Sequence, residues 1–125
     1  DRNIDKVAAV ESRGFIFGSV LAYRMEVGLI PVRKEGKLPY ETLSESYALE
    51  YSEATLEIHT DAIDKGDRIV IIDDLLATGG TAAATCRLVE SLGGNIEELS
   101  FLIELANLRG RDLLDGREIF SLITY

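Results

Sequence analysis

One cysteine, one histidine, one methionine, two prolines and no tryptophan stand among the 125 residues. With Cys86 alone, no disulfide can close within the chain, which points to a reducing compartment. Cys86 and His59 together are too few for a zinc site built from Cys and His. No apolar run reaches the roughly 18 residues that cross a bilayer as a helix. No signal-peptide pattern opens the chain. Positive charge is scarce too: 13 Lys and Arg face 22 Asp and Glu, for a net charge of −9. That balance argues against nucleic acid or an anionic membrane as the main partner. A polyanion bound here must be gripped locally, by a few placed cations, backbone N–H groups and a metal ion. A soluble, cytoplasmic domain is expected, with residues missing in front because the first residue is not Met.

What is present is a large apolar fraction, 46% of the chain. Residues 1–125 are expected to form a single domain with one core. Short apolar runs alternate with helical patterns, the signature of an α/β fold with a mostly parallel central sheet flanked by helices. Strands are expected over residues 6–10, 29–32, 69–72, 99–103 and 119–123. Helices are expected over 15–25, stopped by Gly28, and over 81–92, stopped by Gly93 and Gly94. A short helix is expected over 108–114. Residues 34–46 are charged and turn-rich, with Gly36 and Pro39 as breakers. Residues 47–51 and 55–60 alternate apolar and polar, as paired half-buried strands do. Together, residues 34–60 read as a flap over a site.

The informative run is IVIIDDLLATGGT, residues 69–81. The β-branched stretch of four apolar residues predicts a central strand buried on both faces. Asp73 and Asp74 follow it, and then Ala77, Thr78, Gly79, Gly80 and Thr81 lead into a helix. Open α/β sheets bind ligands at the carboxyl ends of their strands. Small residues there let the backbone approach a phosphate, and the helix start adds unpaired N–H groups and the positive end of its dipole. Two adjacent carboxylates suit the adjacent hydroxyls of a ribose. One segment thus offers the means to hold a sugar diol and its 5′-phosphate. A P-loop would need Gly-Lys-Ser/Thr, and this loop has no Lys. A Rossmann fingerprint would place its acid well after its glycines. An ordinary strand-to-helix turn does not explain two Asp at the end of an apolar strand, where they are costly without a purpose.

The same run resembles the phosphoribosyl-diphosphate (PRPP) motif of type I phosphoribosyltransferases. The chain is most similar to the adenine-using members. The matching stretches are ESRGFIFG (residues 11–18), PVRKEGKLP (31–39), LEYSEATLEIH (49–59) and DDLLATGGT (73–81), with a weaker one in IELANLRGR (103–111). The resemblance implies the type I phosphoribosyltransferase fold with a flexible β-hairpin flap. It also implies transfer of the 5-phosphoribosyl group from PRPP to adenine, giving AMP and pyrophosphate, with Mg²⁺ as cofactor and a homodimer as assembly. Members usually carry a further N-terminal segment that helps build a hood over the base, so residues ahead of Asp1 are expected to belong to that segment.

Residue roles follow from the resemblance. Asp73, Asp74 and residues 77–81 take the ribose and its phosphate, with Mg²⁺ held by PRPP and reached by the two Asp through water. Glu11, Ser12 and Arg13 form a pyrophosphate loop, with Arg13 close to the nucleotide; taken alone they would be a surface Arg and a helix cap. Arg33, Lys34 and Lys37 reach the diphosphate; on charge alone such a cluster is commonly a solvated surface. Glu50 is the candidate general base, and Tyr51 covers the site. The family usually has Gly where Ser52 stands. Leu105 is either a wall of the base pocket or core. His59 is expected on a solvent-facing side and Cys86 packed inside its helix. Two other functions remain open: a non-catalytic PRPP-sensing module, and a sibling transferase for another base.

Overall fold

The computed structural model describes residues 3–49 and 51–125. Among the described residues, seven strands and two α-helices follow one another: β1 (Lys6–Val10), α1 (Arg13–Met25), β2 (Gly28–Lys34), β3 (Thr42–Ala48), β4 (Glu53–His59), β5 (Arg68–Leu76), α2 (Gly80–Ser91), β6 (Asn95–Glu104) and β7 (Ile119–Thr124). Two short 3-10 turns, Ala106–Leu108 and Gly110–Leu114, stand where one short helix is expected from sequence. All strands join one sheet in the order β3-β4-β2-β1-β5-β6-β7. β2, β1, β5, β6 and β7 run parallel, and β4 and β3 extend them as an antiparallel hairpin. The expected α/β architecture is therefore present.

The period-two alternation of the parallel strands feeds two helical layers. Val7 and Ala9 of β1 and Ile72 of β5 pack with Ala22 of α1. Ala8, Val10, Ile69 and Ile71 face the other way, into the larger core with Cys86, Leu88 and Val89 of α2. α1 lies unusually close to the sheet. A Cβ built on Gly18 would sit 2.5 Å from the Ala9 Cβ, so only glycine permits this approach. α1 ends on Glu26, in the left-handed region at φ 58°, two residues before the expected stop. Among the described residues, no helix is long and apolar enough to cross a membrane.

Two boundaries differ from the sequence reading. β5 does not end at Ile72 but continues through both acidic residues, with Asp73 opposite Phe101 and Leu76 opposite Glu104 on β6. β3 starts at Thr42, inside the stretch read as turn-rich, because its polar side chains lie along an edge strand facing solvent. The hairpin stem is also no loose cover. Leu56 and Ile58 of β4 are fully buried, and Arg33 and Lys34 of β2 pair with Glu57 and Leu56.

Candidate active site

Parallel strands place their carboxyl ends on one rim of the sheet. Sequence reversal adds a crevice: from β1 the chain crosses to β2 on one side, and β5 later takes the other side. Such a switch point is where open α/β sheets hold ligands. Here the ends of β1, β2 and β5 meet around a cleft of about 280 Å³. Of the residues singled out in the sequence, Glu11, Arg13, Lys34, Asp73, Asp74 and residues 77–81 line it.

The two acidic residues are neutralised differently. Asp74 pairs with the Arg13 guanidinium from the start of α1. Asp73 accepts a hydrogen bond from the Asp74 backbone N–H at 2.8 Å. Burial, reinforced by the neighbouring Asp74 carboxyl, pushes the Asp73 carboxyl up to about 8. At neutral pH this pair therefore carries a proton as well as a salt bridge. It can both donate and accept hydrogen bonds, which suits a diol.

Beyond β5, Gly79 takes a φ of 91°, a left-handed conformation that favours glycine, and forms the N-cap of α2. No side chain caps this helix and no acidic residue stands in its first turn. Its leading N–H groups therefore meet no capping side chain, and the dipole end favours an anion. Thr78 and Thr81 line the same cleft.

Opposite lies a cationic turn organised by one carboxylate. Glu11 accepts hydrogen bonds from Arg33 Nε at 3.2 Å, from the Lys34 backbone N–H at 2.8 Å and from Lys37 Nζ at 2.6 Å. Burial pushes the Glu11 carboxyl up, but the Lys37, Lys34 and Arg33 hydrogen bonds outweigh it and hold the group below its usual range. Arg33 also lies 5.6 Å over the Phe15 ring. The turn is fixed from beneath by buried Glu57, which accepts from the Gly36 N–H at 3.1 Å and from the Ser44 hydroxyl at 3.2 Å. Glu11 thus gathers the cations, whereas the sequence reading counted it as a ligand contact equal to them.

Other expected residues fall elsewhere. Arg33 and Lys37 do not line the cleft directly but hold Glu11, which does. Ser12 is exposed just before α1. Tyr51 is 92% exposed, outside the cleft lining. Leu105 is half-buried beyond the end of β6, its N–H bonded to the Leu76 carbonyl at 2.9 Å. Glu50 lies outside the described residues. His59, expected toward solvent, is half-buried against the Tyr40 ring, with its Nε2 shielded from water.

Tyr47 is the residue that sequence reasoning missed. It reaches from β3 into the cleft lining, accepts a hydrogen bond from the Thr81 hydroxyl at 3.2 Å and lies against Gly80. Arg87 of α2 pins the same hairpin through Glu45 and the Ser46 carbonyl. Alternation marks Tyr47 as an inward residue, but no local signal tells which element it meets.

A mostly parallel sheet with an acidic pair and an uncapped, glycine-led helix start around the cleft at its switch point is the arrangement expected of a phosphoribosyltransferase. A family model described as the phosphoribosyl transferase domain matches residues 1–115, and the chain belongs to that family. Within it, the chain is similar to adenine phosphoribosyltransferases. The Clostridium botulinum enzyme is 56% identical over all 125 residues, which span 73% of its length. The crystal structure of the Thermoanaerobacter pseudethanolicus enzyme is 59% identical, with a TM-score of 0.97 over 99% of this chain and 72% of that one. The Saccharomyces cerevisiae enzyme, solved with an imino-altritol bisphosphate and adenine, is 45% identical, with a TM-score of 0.94 over 98% of this chain and 69% of its own.

Proposed function

We propose that this chain transfers the 5-phosphoribosyl group of PRPP to N9 of adenine, forming AMP and releasing pyrophosphate, a purine-salvage reaction. The observation that carries it is the meeting of Asp73 and Asp74, an uncapped glycine-led helix start and a cationic turn around one cleft. The yeast relative's bound bisphosphate and adenine support the same substrate pair.

The C1–O bond of PRPP breaks with oxocarbenium character, as in glycoside chemistry. Residues 77–81 hold the 5′-phosphate, while Asp73 and Asp74 hold the ribose hydroxyls, so C1 is fixed against the incoming nitrogen. Pyrophosphate needs neutralising as it leaves. Arg13, Lys34, Arg33 and Lys37 serve this, with the Lys37 and Arg33 contacts to Glu11 yielding to the diphosphate. Ser12 adds its place in the pyrophosphate loop.

Magnesium is the proposed cofactor. Among the described residues no group of three His, Cys, Asp or Glu could cage an ion. Asp73 and Asp74, the acidic pair at the cleft, are the residues that would hold a hard divalent cation brought with the substrate. When bound, it neutralises part of the leaving group's charge.

Glu50 is proposed to accept the adenine proton, on sequence grounds alone. Tyr51 and the hairpin tip are proposed to close over the reactants, with the flap drawn from residues 34–60, and so limit hydrolysis. Leu105 is proposed as a wall for the base. A homodimer in the cytoplasm completes the reading. The exposed apolar side chains of Ile16, Val20 and Tyr23 on α1 support an assembled state.

The test is a steady-state assay with PRPP, magnesium and labelled adenine, with hypoxanthine, guanine and orotate as competitors. AMP formation that only adenine supports is the expected result. Turnover of another base would reassign the substrate, and PRPP binding without any turnover would indicate a sensing module.

A further inference from the structure

Beyond Leu105, the segment after β6 has no assigned role, yet its backbone touches the loop proposed to hold the phosphate. We propose that Gly110 and the Arg111–Glu104 pair are positioning residues that hold residues 77–79 in the shape that accepts a phosphate. The proposal rests on the reading of residues 77–81 as the phosphate-binding loop.

Two glycines meet with nothing between them. A Cβ built on Gly79 would lie 2.5 Å from the Gly110 carbonyl oxygen. A Cβ built on Gly110 would lie 2.5 Å from the Ala77 carbonyl oxygen and 2.7 Å from Leu76 Cδ1. Gly110 is buried, and any larger residue there must move the loop backbone. The contact also sets a direction. The Ala77 carbonyl oxygen lies on the Gly110 side, and a trans peptide is planar. The Thr78 N–H of the same unit therefore points away from Gly110, free of that backbone.

A rigid clamp keeps Gly110 in place. Arg111, the next residue, donates two hydrogen bonds to Glu104, from Nε at 2.8 Å and from an NH2 at 2.9 Å. Ser121 on β7 donates a third at 2.7 Å. Glu104 is 5% exposed and ends β6 opposite Leu76, the last residue of β5. The Arg111 hydrogen bonds hold its carboxyl below the usual range against the effect of burial. A planar guanidinium fork on a carboxylate fixes orientation as well as distance. Arg109, in the left-handed region at φ 57°, turns the chain from the first 3-10 turn into the second. The end of β6 is thus tied to the loop after β5 through one carboxylate and one glycine.

Calorimetry on the full chain with two probes, ribose 5-phosphate and magnesium pyrophosphate, tests this. Gly110→Ala is expected to weaken ribose 5-phosphate about tenfold or more and to leave pyrophosphate unchanged. Arg111→Gln is expected to act in the same direction, and it decides the matter if Gly110→Ala does not fold. Gly94→Ala is the packing control: its Cβ would meet Val89 Cγ1 at 2.8 Å, at the far end of the sheet. It should lower the melting temperature and neither affinity. If the Gly110 and Arg111 variants alter neither affinity, or both equally, the positioning role is wrong. The double substitution Thr78→Val with Thr81→Val separates the two ideas. If it weakens ribose 5-phosphate binding while Gly110→Ala and Arg111→Gln do not, only the clamp fails; if the unaltered chain binds no ribose 5-phosphate, the phosphate-loop reading itself fails.

Discussion

At the scale of single residues, the site's character lies in how Asp73 and Asp74 share their charge. Arg13 takes one carboxylate, and burial keeps a proton on the other up to about pH 8. The consequence for stability has a definite sign. An ordinary Asp ionises at 3.8, so between about pH 4 and pH 8 the folded chain keeps a proton that the unfolded chain has lost. Stability from this group is full below that window, falls as pH rises through it and levels above about 8, with a slope of up to about 1.4 kcal/mol per pH unit. Asp73→Asn should remove that decline. Thermal melts from pH 5 to pH 9 check it: the variant should gain on the parent as pH rises, and parallel curves would contradict the buried proton. Replacing Asp73 and Asp74 together by Asn should weaken PRPP by about tenfold or more, given that hydrogen bonds to charged groups are the strong ones. Unchanged affinity by calorimetry would remove the ribose assignment. Glu50→Gln should lower turnover more than PRPP affinity, and wild-type turnover would remove it as the base.

At the scale of elements, the hairpin is the part that sequence patterns describe least well. The buried stem residues Leu56 and Ile58 make β4 a structural strand, and Tyr47 with Arg87 ties β3 to α2. Leu56→Ala should therefore cost about 2–5 kcal/mol in urea unfolding, the cost of a core residue; a loss under about 0.5 kcal/mol, typical of a surface site, would mean the stem is a detachable cover. The central strand was legible because four apolar residues in a row leave no alternative to a doubly buried position. Its extension to Leu76 was not, because Asp-Asp reads as a strand end. It is tolerated inside the sheet because one carboxyl is protonated and the other is paired. The start of β3 was hidden by Thr42, Ser44 and Glu45, which obey an edge strand's needs and look like loop. The glycine turn after β5 and the helix that follows it were legible to within a residue, since glycines and an apolar face mark both. Tyr47 and Gly110 act through tertiary contacts about 30 residues away in sequence, and no local periodicity carries that information.

At the scale of the whole molecule, a chain of net charge −9 brings Arg13, Arg33, Lys34 and Lys37 together on one rim of the sheet. Parallel strands bring the turn after β2, the loop after β1 and the loop after β5 together, although they lie tens of residues apart. α1 presents Ile16, Val20 and Tyr23 outward. Sedimentation equilibrium should give twice the 13.8 kDa chain mass, and Val20→Glu should return it to the single-chain value. A monomer in both cases would contradict the assembly. The central claim, a carboxylate pair and an amide-lined turn clasping one phosphorylated pentose, is tested most directly by a crystal structure of the chain with AMP. The account predicts the 5′-phosphate against the backbone N–H groups of residues 77–81 and the ribose hydroxyls within hydrogen-bond reach of Asp73 or Asp74; AMP bound elsewhere, with the cleft between β1 and β5 vacant, would contradict it.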